Sequence, residues 1–97
     1  ELGDPRDRGR LLRALQHRHE NVRLAALQAL HKQARGDDSE LFMPLLGDPS
    51  WWVRQAAADS LATLPGATAE RLQTLFRQVH DRYGQDALRR AMAEVRR

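Results

Sequence analysis

Apolar residues recur at intervals of three and four along most of the chain. One such set is Val22, Ala25, Ala26, Ala29 and Leu30, and another is Val53, Ala56, Ala57, Leu61 and Leu64. That spacing gathers them on one face of a helix with 3.6 residues per turn. No segment alternates with period two, so the pattern predicts helices and no strands. The stripes are rich in alanine. Small side chains let helix axes approach closely where bulky ones would hold them apart.

Punctuation between the stripes sets the elements. Asp7 can start a first helix that ends near Gln16, and residues 17–20 make a short turn. A second helix is predicted over 21–34, stopped by Gly36, because glycine accepts the left-handed conformation that closes many helices. Asp37, Asp38 and Ser39 offer acidic and capping groups for a third helix through Leu46. Gly47-Asp48-Pro49 then reads as a helix end, an N-cap and a proline in the first position of a fourth helix. That helix runs to Leu64, before Pro65-Gly66. A fifth opens at Ala67 or Thr68 and continues to Arg82, Gly84 breaks it, and a sixth covers 85–96. Short turns between six such helices fold them into three antiparallel hairpins.

Displaced by 31 residues, the chain falls on itself. Val22-Arg23-Leu24-Ala25-Ala26 lies over Val53-Arg54-Gln55-Ala56-Ala57, Leu15 over Leu46, and Leu30 over Leu61. Leu11 and Leu12 fall on Phe42 and Met43. A looser third copy fits at 35 residues, with Leu88-Arg89-Arg90-Ala91-Met92 on the same motif and Val95 near the place of Leu61. The units would be residues 7–35, 37–65 and 67–96 of one repeat domain. Its start at Glu1 rather than Met points to a piece of a longer protein.

The stretch Leu45-Leu46-Gly47-Asp48-Pro49-Ser50-Trp51-Trp52-Val53-Arg54-Gln55-Ala56-Ala57-Ala58-Asp59-Ser60-Leu61 resembles a HEAT repeat, in the short form first noted in phycobilisome lyases. That form has an Asp, often followed by Pro, then Val-Arg five and six residues after the Asp, then Ala-Ala and Leu. Residues 22–30 match its second half, with His17 where the Asp would stand. The third copy keeps only Leu88-Arg89 and the small-residue stripe, as a terminal unit would. The resemblance implies an all-α fold, a right-handed α-α superhelix (solenoid) of about three HEAT-like hairpins. It also implies a structural ladder in which Arg23, Arg54 and Arg89 reach helix-start carboxylates of their own or the next unit. Asp48 stands ready for Arg54, and a planar guanidinium fits a carboxylate bidentately.

Composition narrows the function more than it names it. With 41% hydrophobic and 30% charged residues the chain is too apolar for a disordered tail. Fifteen Leu and 14 Ala against 6 Gly and 4 Pro favour helix. The absence of Cys excludes a disulfide framework and any thiolate metal site. The longest apolar run, residues 41–46, contains Pro44 and falls far short of a membrane span. No secretory signal pattern is visible. Fifteen Arg against one Lys suggests a high-GC bacterial source.

Candidate chemistry is sparse. There is no Gly-rich phosphate loop, no Gly-x-Ser-x-Gly and no His-Glu-x-x-His. His17, His19, His31 and His80 include no i, i+4 pair, so no metal site is expected. No catalytic residue and no cofactor is predicted. Trp51 and Trp52 carry the strongest signal. They fill the first turn of the fourth helix, where the parallel residues are Glu20 and Asn21. Consecutive helical residues point about 100° apart, so at least one indole should stay exposed, and exposed Trp makes a good interface anchor. Second helices usually line the concave side of stacked hairpins, which adds Leu24, Gln28, Gln55, Asp59 and Thr63 as contacts. The expected partner is a protein or another domain of the parent chain. Charge argues against nucleic acid. Residues 1–35 carry +4, residues 36–64 carry −4 and residues 65–97 carry +3, so the acidic middle unit interrupts the basic track that phosphates require. Binding of a nucleic acid or anionic surface by the N- and C-terminal arginines, with Arg89-Arg90 and Arg96-Arg97, is the alternative.

Overall fold

The computed structural model describes residues 5–33 and 38–95. Six α-helices follow one another: α1 (Pro5–Ala14), α2 (Glu20–Lys32), α3 (Ser39–Phe42), α4 (Trp51–Ala62), α5 (Ala69–Gln78) and α6 (Arg82–Val95). No strand occurs among the described residues. Short connections pair them as hairpins α1–α2, α3–α4 and α5–α6. The second helices pack side by side, α2 on α4 and α4 on α6, while α1, α3 and α5 make no comparably close contact with one another. A stack that is tighter on one side curves toward it, which puts α2, α4 and α6 on the inner layer. The chain is an all-α helical-repeat fold.

The alanine stripes do what their size allows. Ala26, Ala57 and Ala58 are buried in the inner layer, where Leu27, Leu30, Val53, Leu61 and Leu88 fill the gaps between axes. Phe42 and Leu46 close the core from the α3 side. Between α4 and α5, Leu64-Pro65-Gly66-Ala67 makes a turn closed by the Ala67 N–H on the Leu64 carbonyl at 3.0 Å. Gly66 has φ +79°, the conformation that favours glycine at the third place of a type II turn, after a proline.

Several boundaries differ from the sequence expectation, each for a local reason. The third helix does not reach Leu46 as α-helix. Pro44 has no N–H to give, and the chain tightens into a 3-10 turn over Met43–Gly47. Ser50, not Asp48, caps α4, accepting the Val53 N–H on its hydroxyl. Pro49 stays outside the helix. The fifth helix ends at Gln78 rather than Arg82. Gly84 is no breaker either, since it lies within the first turn of α6 and is buried. A Cβ there would stand 2.9 Å from the Leu46 carbonyl oxygen and 3.1 Å from the Val79 side chain. Glycine is needed for the close approach of α6 to the preceding hairpin.

The third unit keeps the 31-residue register of the first two, not 35. The N-cap positions of α2, α4 and α6 are His19, Ser50 and Asp81, each 31 residues after the last. Asp81 receives the N–H groups of Tyr83 and Gly84. A displacement of 35 differs by four residues, about one helical turn, so it leaves the apolar stripe in phase and matches similar residues one turn too far along. The true register aligns Val22, Val53 and Gly84. Val53 is fully buried, but Val22, on the same apolar stripe by sequence, is 36% exposed. Gly84 faces Leu46 of the hairpin before it. By the same register Val22 has no earlier hairpin among the described residues to cover it.

This close approach is testable. Gly84→Ala should lower stability in urea denaturation by about 1–3 kcal/mol, as overpacking does, although alanine is favoured over glycine within a helix by about 0.5–1 kcal/mol. Gly47→Ala is the control, because its Cβ would meet nothing closer than 3.9 Å. Equal midpoints for the two variants would refute the packing of α6 against Leu46.

Candidate docking face

The starts of the second helices are tied together by arginine. Arg23 Nη1 donates to the carbonyls of His17 and Arg18 at 2.7 and 3.0 Å. Its Nε and Nη2 reach forward to the Asp48 carboxylate at 2.8 and 3.0 Å. Asp48 also accepts the Ser50 N–H at 2.9 Å, and its side chain is only 5% exposed. One guanidinium therefore closes its own turn and grips the next hairpin. Arg54 repeats the first half of that device, with Nη1 on the carbonyls of Asp48 and Pro49 at 2.8 and 3.2 Å. The pairing expected between Arg54 and the Asp48 carboxylate is thus corrected: Arg23 holds it, and Arg54 holds the backbone.

In the third unit Gln85 stands 31 residues after Arg54, and its Nε2 donates to the Val79 carbonyl at 2.7 Å, again six residues back. Arg89, the expected ladder member, has another environment. It lies 5.3 Å from the Phe76 ring centroid and 3.9 Å from Asp86, largely exposed.

The same register lays the inner layer out in rows. Glu20, Trp51 and Arg82 share the first, Leu24, Gln55 and Asp86 the second, Gln28, Asp59 and Arg90 the third, and Lys32, Thr63 and Glu94 the fourth. Leu24 and Gln55 are half-buried, and the others are exposed. Gln55 Nε2 donates to Asp59 at 3.2 Å, while its carbonyl oxygen is buried without a partner. The Thr63 hydroxyl donates to the Asp59 carbonyl at 2.8 Å and lies 3.2 Å from His31 Nε2. Gln55, Asp59 and Thr63 therefore form one line along α4, with Leu24 and Gln28 on α2 beside it.

Both tryptophans face solvent, Trp51 at 44% and Trp52 at 66% exposure. Their rings meet edge to face, centroids 4.9 Å apart at 88°. Arg90 of α6 lies 5.9 Å from the Trp51 ring centroid and 3.3 Å from Asp86. Tyr83, 62% exposed, takes the place of Trp52 in the third unit, with the Arg54 guanidinium 5.1 Å from its ring centroid. Sequence reasoning missed Tyr83, and a 31-residue displacement applied to the third unit would have found it.

Charge sorts by edge rather than by unit. Asp38 and Glu40 open α3, which runs antiparallel to α4, so they lie away from the tryptophans, and Asp38 pairs with Arg8 at 3.1 Å. Asp48 is neutralised by Arg23. An open cleft between the starts of α2 and α4 is lined by Arg18, His19, Glu20, Asn21, Arg23, Pro49 and Ser50, where the Ser50 hydroxyl donates to Glu20. Among the described residues no group of three His, Cys, Asp or Glu could hold a metal ion. No described helix is long and apolar enough to cross a membrane.

A family model described as HEAT repeats matches residues 8–95. No curated protein and no solved structure matches the chain.

The inter-hairpin tie carries its own test. Arg23→Ala should destabilise by about 3 kcal/mol, because it leaves the Asp48 carboxylate buried and unpaired. In a double-mutant cycle with Asp48→Ala the two losses should overlap by about 1–3 kcal/mol. Arg89→Ala, on an exposed pair, should change stability by less than about 0.5 kcal/mol. Equal losses for Arg23 and Arg89 in chemical denaturation would refute the tie.

Proposed function

The chain belongs to the HEAT-repeat family, and from that premise we propose that it is a non-catalytic docking module. It holds a protein partner, or another domain of its parent chain, on the face of its second helices. One observation carries this reading: two indoles in edge-to-face contact stand exposed at the start of α4, and an exposed phenol, Tyr83, holds the equivalent place at the start of α6. Large aromatic rings lose the most by staying in water and gain the most when a partner covers them. Three of the polar residues around them are engaged within the protein. Glu20 accepts from Ser50, Asp59 from Gln55, and Arg54 is bound to carbonyls. That arrangement presents a surface, and these three side chains are held by their partners.

The anionic-surface alternative has less support. Arg96 and Arg97 lie outside the described residues. Arg89 and Arg90 are stacked on Phe76 and Trp51 and shared with Asp86.

Peptide display against the immobilised protein tests the proposal. Selected binders should lose about tenfold or more in affinity with Trp51→Ala or Trp52→Ala, as hot-spot truncations do. Deleting Arg96 and Arg97 should cost less than about threefold, the scale of exposed charges. Because both indoles are exposed, circular dichroism and urea midpoints of the variants should stay close to those of the parent. Binders indifferent to both tryptophans would overturn the assignment.

A further inference from the structure

Each second helix has a side turned toward the hairpin before it, and the first hairpin leaves that side uncovered. In α6 this side holds Gly84, which meets Leu46, and Ala87 and Ala91, three and seven residues on; all three are buried. The equivalents in α4 are Val53, Ala56 and Ser60, the first and last buried and Ala56 half-buried. In α2 they are Val22 and Ala25, both exposed, and Ala29, half-buried. No described element precedes α1 to close over them. His17 gives the same end of the stack a polar group. It holds the place of Asp48, and its Nδ1 accepts the His19 N–H at 3.1 Å, as Asp48 accepts the Ser50 N–H at 2.9 Å. A neutral imidazole that accepts on Nδ1 carries its proton on Nε2. His17 therefore offers a donor where Asp48 offers Arg23 an acceptor. The far side of the third hairpin is different. Arg77 and Arg89 stand there, exposed, at the places of the buried Leu46 and Ala58.

We propose that the uncovered side of α2 is a second docking surface, apart from the aromatic rings. Its occupant is a helical hairpin of a partner protein, laid on α2 as α2 lies on α4. The two covered copies of this side state what that hairpin must carry. Its second helix has small apolar residues facing Ala25 and Ala29, so that the axes come close. An aliphatic residue at the end of its first helix meets Val22, as Leu46 meets Gly84. At the place of Arg23 it has an acceptor, glutamate or glutamine, because an arginine would set N–H groups against the N–H of His17. A second copy of the chain does not meet these terms. Its third hairpin would press Arg77 and Arg89 onto Val22, Ala25 and Ala29 and strip the water from two guanidiniums. A polar outer face is how a terminal unit stops a stack from growing. The stack thus has a direction, open at the first hairpin and closed at the third.

Sedimentation velocity tests this with a rebuilt copy of the chain as the probe. Arg77→Leu and Arg89→Ala give its third hairpin the covering residues, and Ala25→Arg closes its own first hairpin. Gln85 already supplies the acceptor, since its Nε2 is on the Val79 carbonyl and its own carbonyl oxygen has no hydrogen-bond partner among the described residues. The unmodified chain alone should stay monomeric, and with the probe it should form a one-to-one complex. Val22→Lys in the unmodified chain should weaken that complex about tenfold or more, as loss of a central contact does. His17→Phe should weaken it about fivefold, the worth of one hydrogen bond. Trp51→Ala with Trp52→Ala should change it by less than about twofold, as for separate sites, which keeps this test distinct from docking on the rings. All the substituted positions except His17, in a turn, lie on exposed helix surface, and circular dichroism checks that each variant is folded. If the triple variant is not, Arg89→Ala with Ala25→Arg is the probe, with the same expectations. Absence of a complex, a complex unmoved by Val22→Lys, or self-association of the unmodified chain would each overturn the proposal.

Discussion

One guanidinium sets the geometry on which the rest of the stack depends. Arginine carries five N–H donors in a rigid plane and no acceptor, so it can serve two neighbours at once only if they approach from opposite edges. Arg23 has that arrangement, with turn carbonyls of its own hairpin behind and the Asp48 carboxylate of the next hairpin ahead. Neither side could be left alone. The carbonyls would lose their donor, and a nearly buried carboxylate would lose the cation that offsets its desolvation. The tie therefore fixes hairpin against hairpin at the starts of α2 and α4. The alanine faces then settle the distance along the rest of the helices.

The tie changes character at the third hairpin, and the aromatic edge follows from that change. The place of Asp48 is taken by Val79, which is buried. Arg54 keeps its hold on its own turn but has no carboxylate ahead, and its plane lies instead over the ring of Tyr83. Closeness between α4 and α6 is secured by other means, chiefly Gly84 against the Leu46 backbone. A close approach of backbone to backbone replaces an ionic pair. Trp52 and Tyr83, at equivalent places on adjacent helices, are both left exposed.

How much of this could be read from the sequence depended on whether the signal was local or relational. Helix count and hairpin pairing were legible, because stripes at 3.6 residues and Gly-Pro punctuation act within a few residues of each other. The register of the third unit was not. A one-turn slip preserves the apolar stripe, and Leu88-Arg89 offered a closer residue match than Gly84-Gln85, whose roles rest on the backbone of Leu46 and of Val79. Asp48 followed by Pro49 looked like a cap, and only the approach of Arg23 from another hairpin turned the aspartate inward and left capping to Ser50. Charge counted along the chain assigned the acids to the middle unit as a whole. The antiparallel hairpin carries Asp38 and Glu40 to the other edge. Two exposed indoles were half anticipated: helical geometry required one of them outside, and the second is outside because its row lies on the inner face, clear of the next hairpin.

Nothing in the folding of α4 accounts for rings at its first two positions. Ser50 already caps the helix, and a helix start favours small polar or acidic residues over indoles. In the first hairpin the same two places hold Glu20 and Asn21, both exposed, so the stack does not require apolar groups there. Nor do the rings gain much from each other, since an edge-to-face pair adds only about 0.5–1.5 kcal/mol beyond the area it buries. Trp52, mostly in water, and Trp51, nearly half so, bury less of their area in the hairpins than side chains that large could. What they supply is contact area, which gains its free energy only when a complementary surface closes over it.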